Sequence, residues 1–193
     1  MNLVNSAKTA NYCQRNWIGD LISTRDLETI IESSRSMPSK QNVNYYSIVV
    51  SQNQEFNKFC YKNAVHKNST KKINRNSQVL APTLFLWIKN NDCDSSQKEY
   101  NEADQDIAIG ISSGVAAYVS NLLGYRTGFC RCINEEPICI KLKKDFSITT
   151  NRVMLMLGVG KPNLLYNHNE IVENNVVVRT VETIKKNSKY YII

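Results

Sequence analysis

The chain has 193 residues, 42% hydrophobic and 21% charged, a balance that excludes an intrinsically disordered chain and gives one domain enough material for its own core. Its net charge is +7. The cations of Lys71-Lys72, Arg75, Lys143-Lys144 and Lys185-Lys186 are scattered and form no tract, so no nucleic-acid partner is expected, and a phosphorylated small molecule needs only one or two of them. No apolar run reaches the length of a membrane span, and the opening MNLVNSAKTANYCQ lacks the apolar stretch of a signal peptide, so a cytoplasmic protein with no membrane partner is expected.

In chain order, residues 24–36 (TRDLETIIESSRS) predict a helix capped by Thr24, with Asp26 and Glu28 in its first turn and Leu27, Ile30 and Ile31 as its apolar stripe. Pro38 stops it. A polar knot of Ser39, Lys40, Gln41, Asn42 and Asn44 then leads into a strand, YSIVV, at 46–50. A plain connection needs about two to six residues of turn chemistry. This one is longer and crowded with short hydrogen-bonding side chains, which suits a flat polar ligand. Residues 54–65 predict a second helix with Phe56, Phe59 and Cys60 on one side, and 67–77 read as a polar loop. PTLFLWI at 82–88 is an apolar strand, and 90–97 a polar turn region.

Residues 104–123 carry the clearest helical period, with Ile107, Ile111, Val115, Tyr118 and Leu122 at spacings of three and four. The small residues between them predict close packing on more than one side, by the chain's own sheet or by a second subunit. Gly124 closes the helix as a C-cap. A strand and loop follow at 125–133, a short helix at 139–144, the apolar strand VMLMLGV at 153–159, and a turn at Gly160-Lys161-Pro162. The tail 176–193 ends in KYYII, which predicts a strand that docks elsewhere, on another subunit. The order of elements predicts an α+β architecture in a single domain spanning 1–193.

Catalytic motifs are scarce. There is no G-x-S-x-G, no H-E-x-x-H and no P-loop. Six cysteines with one Cys-x-Cys pair, Cys130 and Cys132, and only two histidines make a poor metal site, so none is expected. His66 and His168 read as surface residues, and Cys130 and Cys132 as packing at a strand end. A chain poor in acid–base groups and rich in amides points to a bound cofactor as the seat of the chemistry.

Three separated segments then line up. Asn11-Tyr12-Cys13-Gln14-Arg15-Asn16-Trp17, Pro38-Ser39-Lys40-Gln41-Asn42 with Asn44-Tyr45-Tyr46, and Leu122-Leu123-Gly124-Tyr125 followed by Thr127-Gly128-Phe129-Cys130-Arg131-Cys132 resemble, in order and spacing, the nitroreductase family of FMN-dependent oxidoreductases. VMLMLGVGKP resembles the family's next strand. The resemblance implies a three-layer α+β fold with a mainly antiparallel sheet, C-terminal strand exchange in a homodimer, and FMN sites at the subunit interface. It implies that Pro38, Ser39, Lys40 and Asn42 lie against the flavin of the neighbouring subunit and that Arg15 contacts its ribityl or N1 side. Asn11 and Cys13 stand where the family has a phosphate-side arginine and serine, a departure that leaves Arg179 to carry more of the phosphate. Arg131 and Cys132 fall in the loop facing flavin N5, and Asn76, or Asn74 in the other register, falls near the ring. The implied reaction is hydride transfer from NADH or NADPH through FMN to a small acceptor such as a nitroaromatic or quinone, with no essential acid or base. A specialised flavin reaction (reductive dehalogenation or flavin breakdown) and a non-enzymatic flavin-binding or basic interaction module are the alternatives.

Overall fold

The structure, a computed structural model, describes residues 3–67, 73–90 and 102–182. A four-stranded sheet organises it, in the order β1 (Tyr46–Ser51), β4 (Thr83–Lys89), β6 (Val153–Gly160), β5 (Arg126–Cys130), every neighbour antiparallel. Its central strands are apolar at nearly every position because both faces are covered. Along β4, Leu84, Leu86 and Ile88 point into one core with Phe56, Cys60, Val79, Ile138, Leu142 and Met156. Phe85 and Trp87 point into the other, with Ile30, Ile109, Ala116, Ala117 and Leu157. Helices α3 (Gln54–Asn63) and α5 (Glu135–Phe146) cover the first face, and α2 (Thr24–Arg35) and α4 (Glu102–Leu122) the second. The result is the α+β arrangement of an antiparallel sheet between helical layers.

Helix α4 is oriented opposite to its most obvious pattern. Its small and polar face, including Ala108, Ser112, Ala116 and Ser120, is the buried one, and it lets the helix axis come close to the sheet. The polar groups on that face are all used: Gln105 Nε2 donates to the Tyr45 carbonyl at 2.8 Å, and Ser112 Oγ accepts from the Trp87 indole at 2.9 Å. Of the predicted stripe, Ile107 and Ile111 are 60% and 40% exposed, and Val115, Tyr118 and Leu122 are only partly buried.

Other expectations are corrected in detail. Ser23, and not Thr24, caps α2, its Oγ accepting from the Asp26 N–H at 3.2 Å. The 67–77 stretch is no plain loop: β2 (Val65–Lys67) and β3 (Ile73–Arg75) form a hairpin, followed by the 3-10 turn Ser77–Leu80. Helix α5 starts four residues before the expected 139 because Asn134 and two glutamates open it. A first helix α1 (Leu3–Ala10) precedes the elements read from sequence. The expected turn at Gly160 is still strand, and the chain bends after Pro162, which bridges to Trp17. Val176–Thr180 forms β8, which pairs within the chain with β7 (Glu170–Glu173) across an Asn174-Asn175 turn with both φ positive, the geometry of a tight two-residue hairpin. KYYII and most of the 90–97 turn region lie outside the described residues. Among the described residues no helix is long and apolar enough to cross a membrane.

Two glycines set the position of the functional elements. Gly128 of β5 and Gly158 of β6 are paired across the sheet. A Cβ on Gly128 would lie 2.6 Å from the Gln14 carbonyl oxygen and 2.8 Å from Gln78 Cβ, and one on Gly158 would lie 2.0 Å from the Gln78 carbonyl oxygen. The bare backbone at both positions lets residue 14 and the Ser77–Leu80 turn rest directly on the sheet. Gly158→Ala is therefore expected to lower stability by about 2–3 kcal/mol, since backbone must move to admit the methyl group. Urea unfolding of wild type and variant measures it, and an unchanged midpoint would contradict this packing.

Candidate functional site

The site starts from an extended segment, residues 13–18, that is fastened to the edge of the sheet. Gln14 N–H donates to the Thr127 carbonyl of β5 at 2.9 Å, and its buried amide Nε2 turns back to the Asn16 carbonyl at 2.7 Å. Ile18 N–H donates to the Lys161 carbonyl at 3.1 Å, and the Trp17 indole donates to the Ser77 carbonyl at 3.3 Å. Asn16 Nδ2 donates to the carbonyls of Asn167 at 2.6 Å and Glu170 at 3.1 Å, which holds the turn before β7 against this segment. With both neighbours pinned, the half-buried Arg15 side chain has little freedom.

Around Arg15 the structure gathers several residues named from sequence. Its Nη1 donates to Asn76 Oδ1 at 3.4 Å, and Asn76 Oδ1 also caps the 3-10 turn by accepting from the Gln78 N–H. The Cys130 thiol donates to the Cys132 carbonyl at 3.7 Å, and the Asn76 side chain also acts to lower its pKa. Burial lowers the Arg15 pKa from its ordinary value; the Arg179 charge adds to this, and Cys13 and Cys130 oppose it. Its guanidinium nonetheless stays charged at any working pH. Arg179 stands on β8, opposite Ile171 of β7. Arg15, Asn76, Cys13, Cys130 and Arg179 thus form one group: the Arg179 charge acts on Arg15, and Arg15 Nε is buried with no hydrogen-bond partner. That is the donor set an anion-bearing ligand completes. A cleft of about 400 Å³ adjoins it, between Arg15, Trp17, Ser77 and the Asn174-Asn175 hairpin tip, and the Ser77 hydroxyl is a second buried group without a partner.

The knot lies elsewhere. Residues 38–42 lead into β1, one edge of the sheet, whereas segment 13–18 is fastened to β5, the other edge. Three strand spacings of about 4.8 Å separate those edges. Pro38, Ser39 and Lys40 line a groove of about 220 Å³ with Asp104, Ile107, Ala108 and Ile111 of α4. Lys40 Nζ bonds Asp104 Oδ2 at 3.0 Å, and Ser39 Oγ donates to the Val43 carbonyl at 2.7 Å, which leaves the hydroxyl free to accept. Gln41 and Asn42 are both left-handed, at φ 53 and 57. For Gln that conformation costs about 1–2 kcal/mol, a strain that turns exposed side chains outward from the chain's own core.

The remaining named residues are spread between these groups. Asn11 Nδ2 caps its own helix at the Ala7 carbonyl, 3.0 Å away. Arg131 is exposed and reaches Asp106 of α4 at 3.8 Å, and Cys132 is exposed just beyond β5. Asn74 is in β3.

Solved structures decide the fold. A nitroreductase family protein from Clostridium novyi matches over 88% of this chain and 90% of its own, with a TM-score of 0.66 and 19% identity. Nitroreductase A of Vibrio parahaemolyticus matches over 97% and 79%, with 0.67 and 15%. The NADPH:FMN oxidoreductase of Vibrio harveyi, solved in complex with NAD+, matches over 96% and 80%, with 0.67 and 14%. This chain has the nitroreductase fold. No protein-family profile matches the sequence, and neither does any curated protein.

On this nitroreductase scaffold one residue overlooked in the sequence comes into the Arg15 group. His168, expected at the surface, is half-buried, stacks on Tyr12 with ring centroids 4.8 Å apart, and has a buried Nε2 without a partner. Burial lowers its pKa, and the Arg15 charge adds to the effect. Only the Asn-His-Asn-Glu turn signal marked it, and a turn signal does not say what the turn rests on.

The thiols differ sharply in reactivity. Burial pushes the Cys60 thiol up to about 12 and the Cys130 thiol up to about 11, whereas Cys132 is exposed. Because the thiolate is the reactive form, iodoacetamide near neutral pH is expected to label Cys132 and to leave Cys60 and Cys130 unmodified until the chain unfolds. Peptide mass spectrometry reads this, and labelling of Cys130 as fast as Cys132 would contradict it.

Proposed function

We propose that this chain is an FMN-dependent oxidoreductase of the nitroreductase family, passing hydride from NADH or NADPH to a small acceptor such as a nitroaromatic or quinone, and working as a homodimer. The observation that carries the proposal is the buried, unpartnered Arg15 Nε, beside Asn76 and under the charge of Arg179, on a nitroreductase scaffold. Those residues fit a phosphorylated flavin. Two guanidinium groups brought together gain from a dianion between them. Asn76, fixed by the 3-10 turn and by Arg15, offers an amide at the same edge of the sheet.

FMN, when bound, supplies hydride exchange at N5. The chain's own residues hold it. Arg15 and Arg179 hold the flavin by its anionic end, with no proton transfer by the protein. The knot supplies what one chain lacks. Ser39 and Lys40, the latter paired with Asp104, stand beside the exposed Ile107 and Ile111 of α4, and Asn42 lines the adjoining cleft with Ile31 and Tyr46. A second copy seated on that apolar face buries it and brings its knot to the first copy's Arg15 group. The nucleotides and flavin named for the Vibrio harveyi structure support this choice of cofactor and donor.

The purified chain is expected to be yellow, to release FMN on denaturation, and to lose its visible absorbance on anaerobic titration with NADPH or NADH. Arg15→Ala is expected to weaken FMN binding by about 1.5–3 kcal/mol, on the order of ten- to a hundredfold. A colourless chain that cannot be reconstituted with FMN would overturn the cofactor, and bound FMN that neither nucleotide bleaches would overturn the donor.

A further inference from the structure

We infer that His168 is part of the phosphate grip: its Nε2–H donates to the phosphate of the bound flavin, in the place left by the changed residues at 11 and 13. This rests on the flavin reading above and adds a residue to it. The geometry is independent of the nitroreductase pattern, since residue 168 lies on the turn before β7, outside every segment that resembles it.

Two sets of hydrogen bonds and one ring contact converge on that turn. Asn16 Nδ2 binds the Asn167 and Glu170 carbonyls, so the turn is fixed one residue from Arg15. Asn169 and Val181 exchange two bonds, Val181 N–H to the Asn169 carbonyl at 2.9 Å and Asn169 Nδ2 to the Val181 carbonyl at 3.0 Å. Those bonds fix the turn two residues from Arg179. The Tyr12 ring stacks on the imidazole from the side of residues 11–13. His168 is therefore held between Arg15, Arg179 and the segment whose arginine and hydroxyl are replaced.

The unmet donors agree. Asn11 spends its amide on its own helix, and Cys13 brings only a weak donor. Arg15 Nε and His168 Nε2 are both buried and unpartnered. A buried donor left unmet is costly, and two in one group are satisfied together by one oxyanion. A neutral imidazole suits the place, because it donates without adding a third cation to the charges of Arg15 and Arg179.

The test compares FMN with riboflavin, which lacks the phosphate, using quenching of flavin fluorescence by the full-length chain. His168→Phe keeps the stack on Tyr12 and removes the donor. It is expected to weaken FMN binding by about tenfold or more while leaving riboflavin affinity unchanged. His168→Gln returns a donor at similar reach and is expected to fall between the two. Unchanged FMN affinity in both variants, or equal loss of FMN and riboflavin affinity, would overturn the role of His168 alone. A wild-type chain that binds neither flavin would overturn the cofactor reading, and this inference with it.

Discussion

The contact between backbone and backbone at Gly128 and Gly158 is the constraint from which the site follows. On a sheet whose other inward positions carry Leu, Met and Cys, these two paired residues leave a bare patch. Residue 14 and the Ser77–Leu80 turn fill it from above. Arg15 is the next residue after the first contact, and Asn76 the residue before the second. Both are therefore delivered to one place by main-chain packing, before any side-chain interaction between them is formed. Cys130 lies two residues along β5 from Gly128 and so faces the same way. The thiol's high pKa, a consequence of burial, keeps it a neutral wall of the site and not a nucleophile.

Electrostatics then distinguish a binding site from a structural ion-pair cluster. Elsewhere on the chain, cations find carboxylates: Lys40 with Asp104, Lys141 with Asp145, Lys161 with Asp20. In the Arg15 group the groups that act on Arg15 are Arg179, whose charge opposes its own, and the thiols of Cys13 and Cys130, the latter with its pKa pushed up by burial to about 11. The buried Arg15 Nε has no partner within the chain, and an anion placed against it would complete its hydrogen bonding, which is what the proposed function uses.

Much of the fold was legible because β1, β4 and β6 are β-branched or apolar runs bounded by turn residues, and because α2 and α3 carry ordinary amphipathic patterns. The direction of α4 was not. Its apolar stripe obeys the helical period, but period alone does not say which face meets the sheet. Here close approach was won by Ala and Ser, and the Ser112 and Ser120 hydroxyls and the Gln105 amide on that face find partners. The β7–β8 hairpin was missed because its turn, Asn174-Asn175, is a two-residue signal, β8 is exposed along its length and β7 is only partly buried, so no burial pattern marks them. Arg15, Asn76, Cys13 and Arg179 were named on resemblance, and the structure brings them together. His168 was not, since its place depends on Asn16 reaching across 151 positions of sequence to the Asn167 carbonyl.

In the proposed homodimer each flavin site is built from the Arg15 group of one copy and the 38–42 knot of another. Mixing two variants tests it most directly, one carrying Arg15→Ala and one carrying Lys40→Ala with Asn42→Ala, each chosen for weak FMN binding alone. After joint unfolding and refolding, a mixed dimer contains one site with both halves intact. The account predicts that the mixture regains tight FMN binding that neither variant shows alone. A mixture no better than its components, while the wild-type chain refolds and binds FMN under the same conditions, would show that the two halves do not meet across copies.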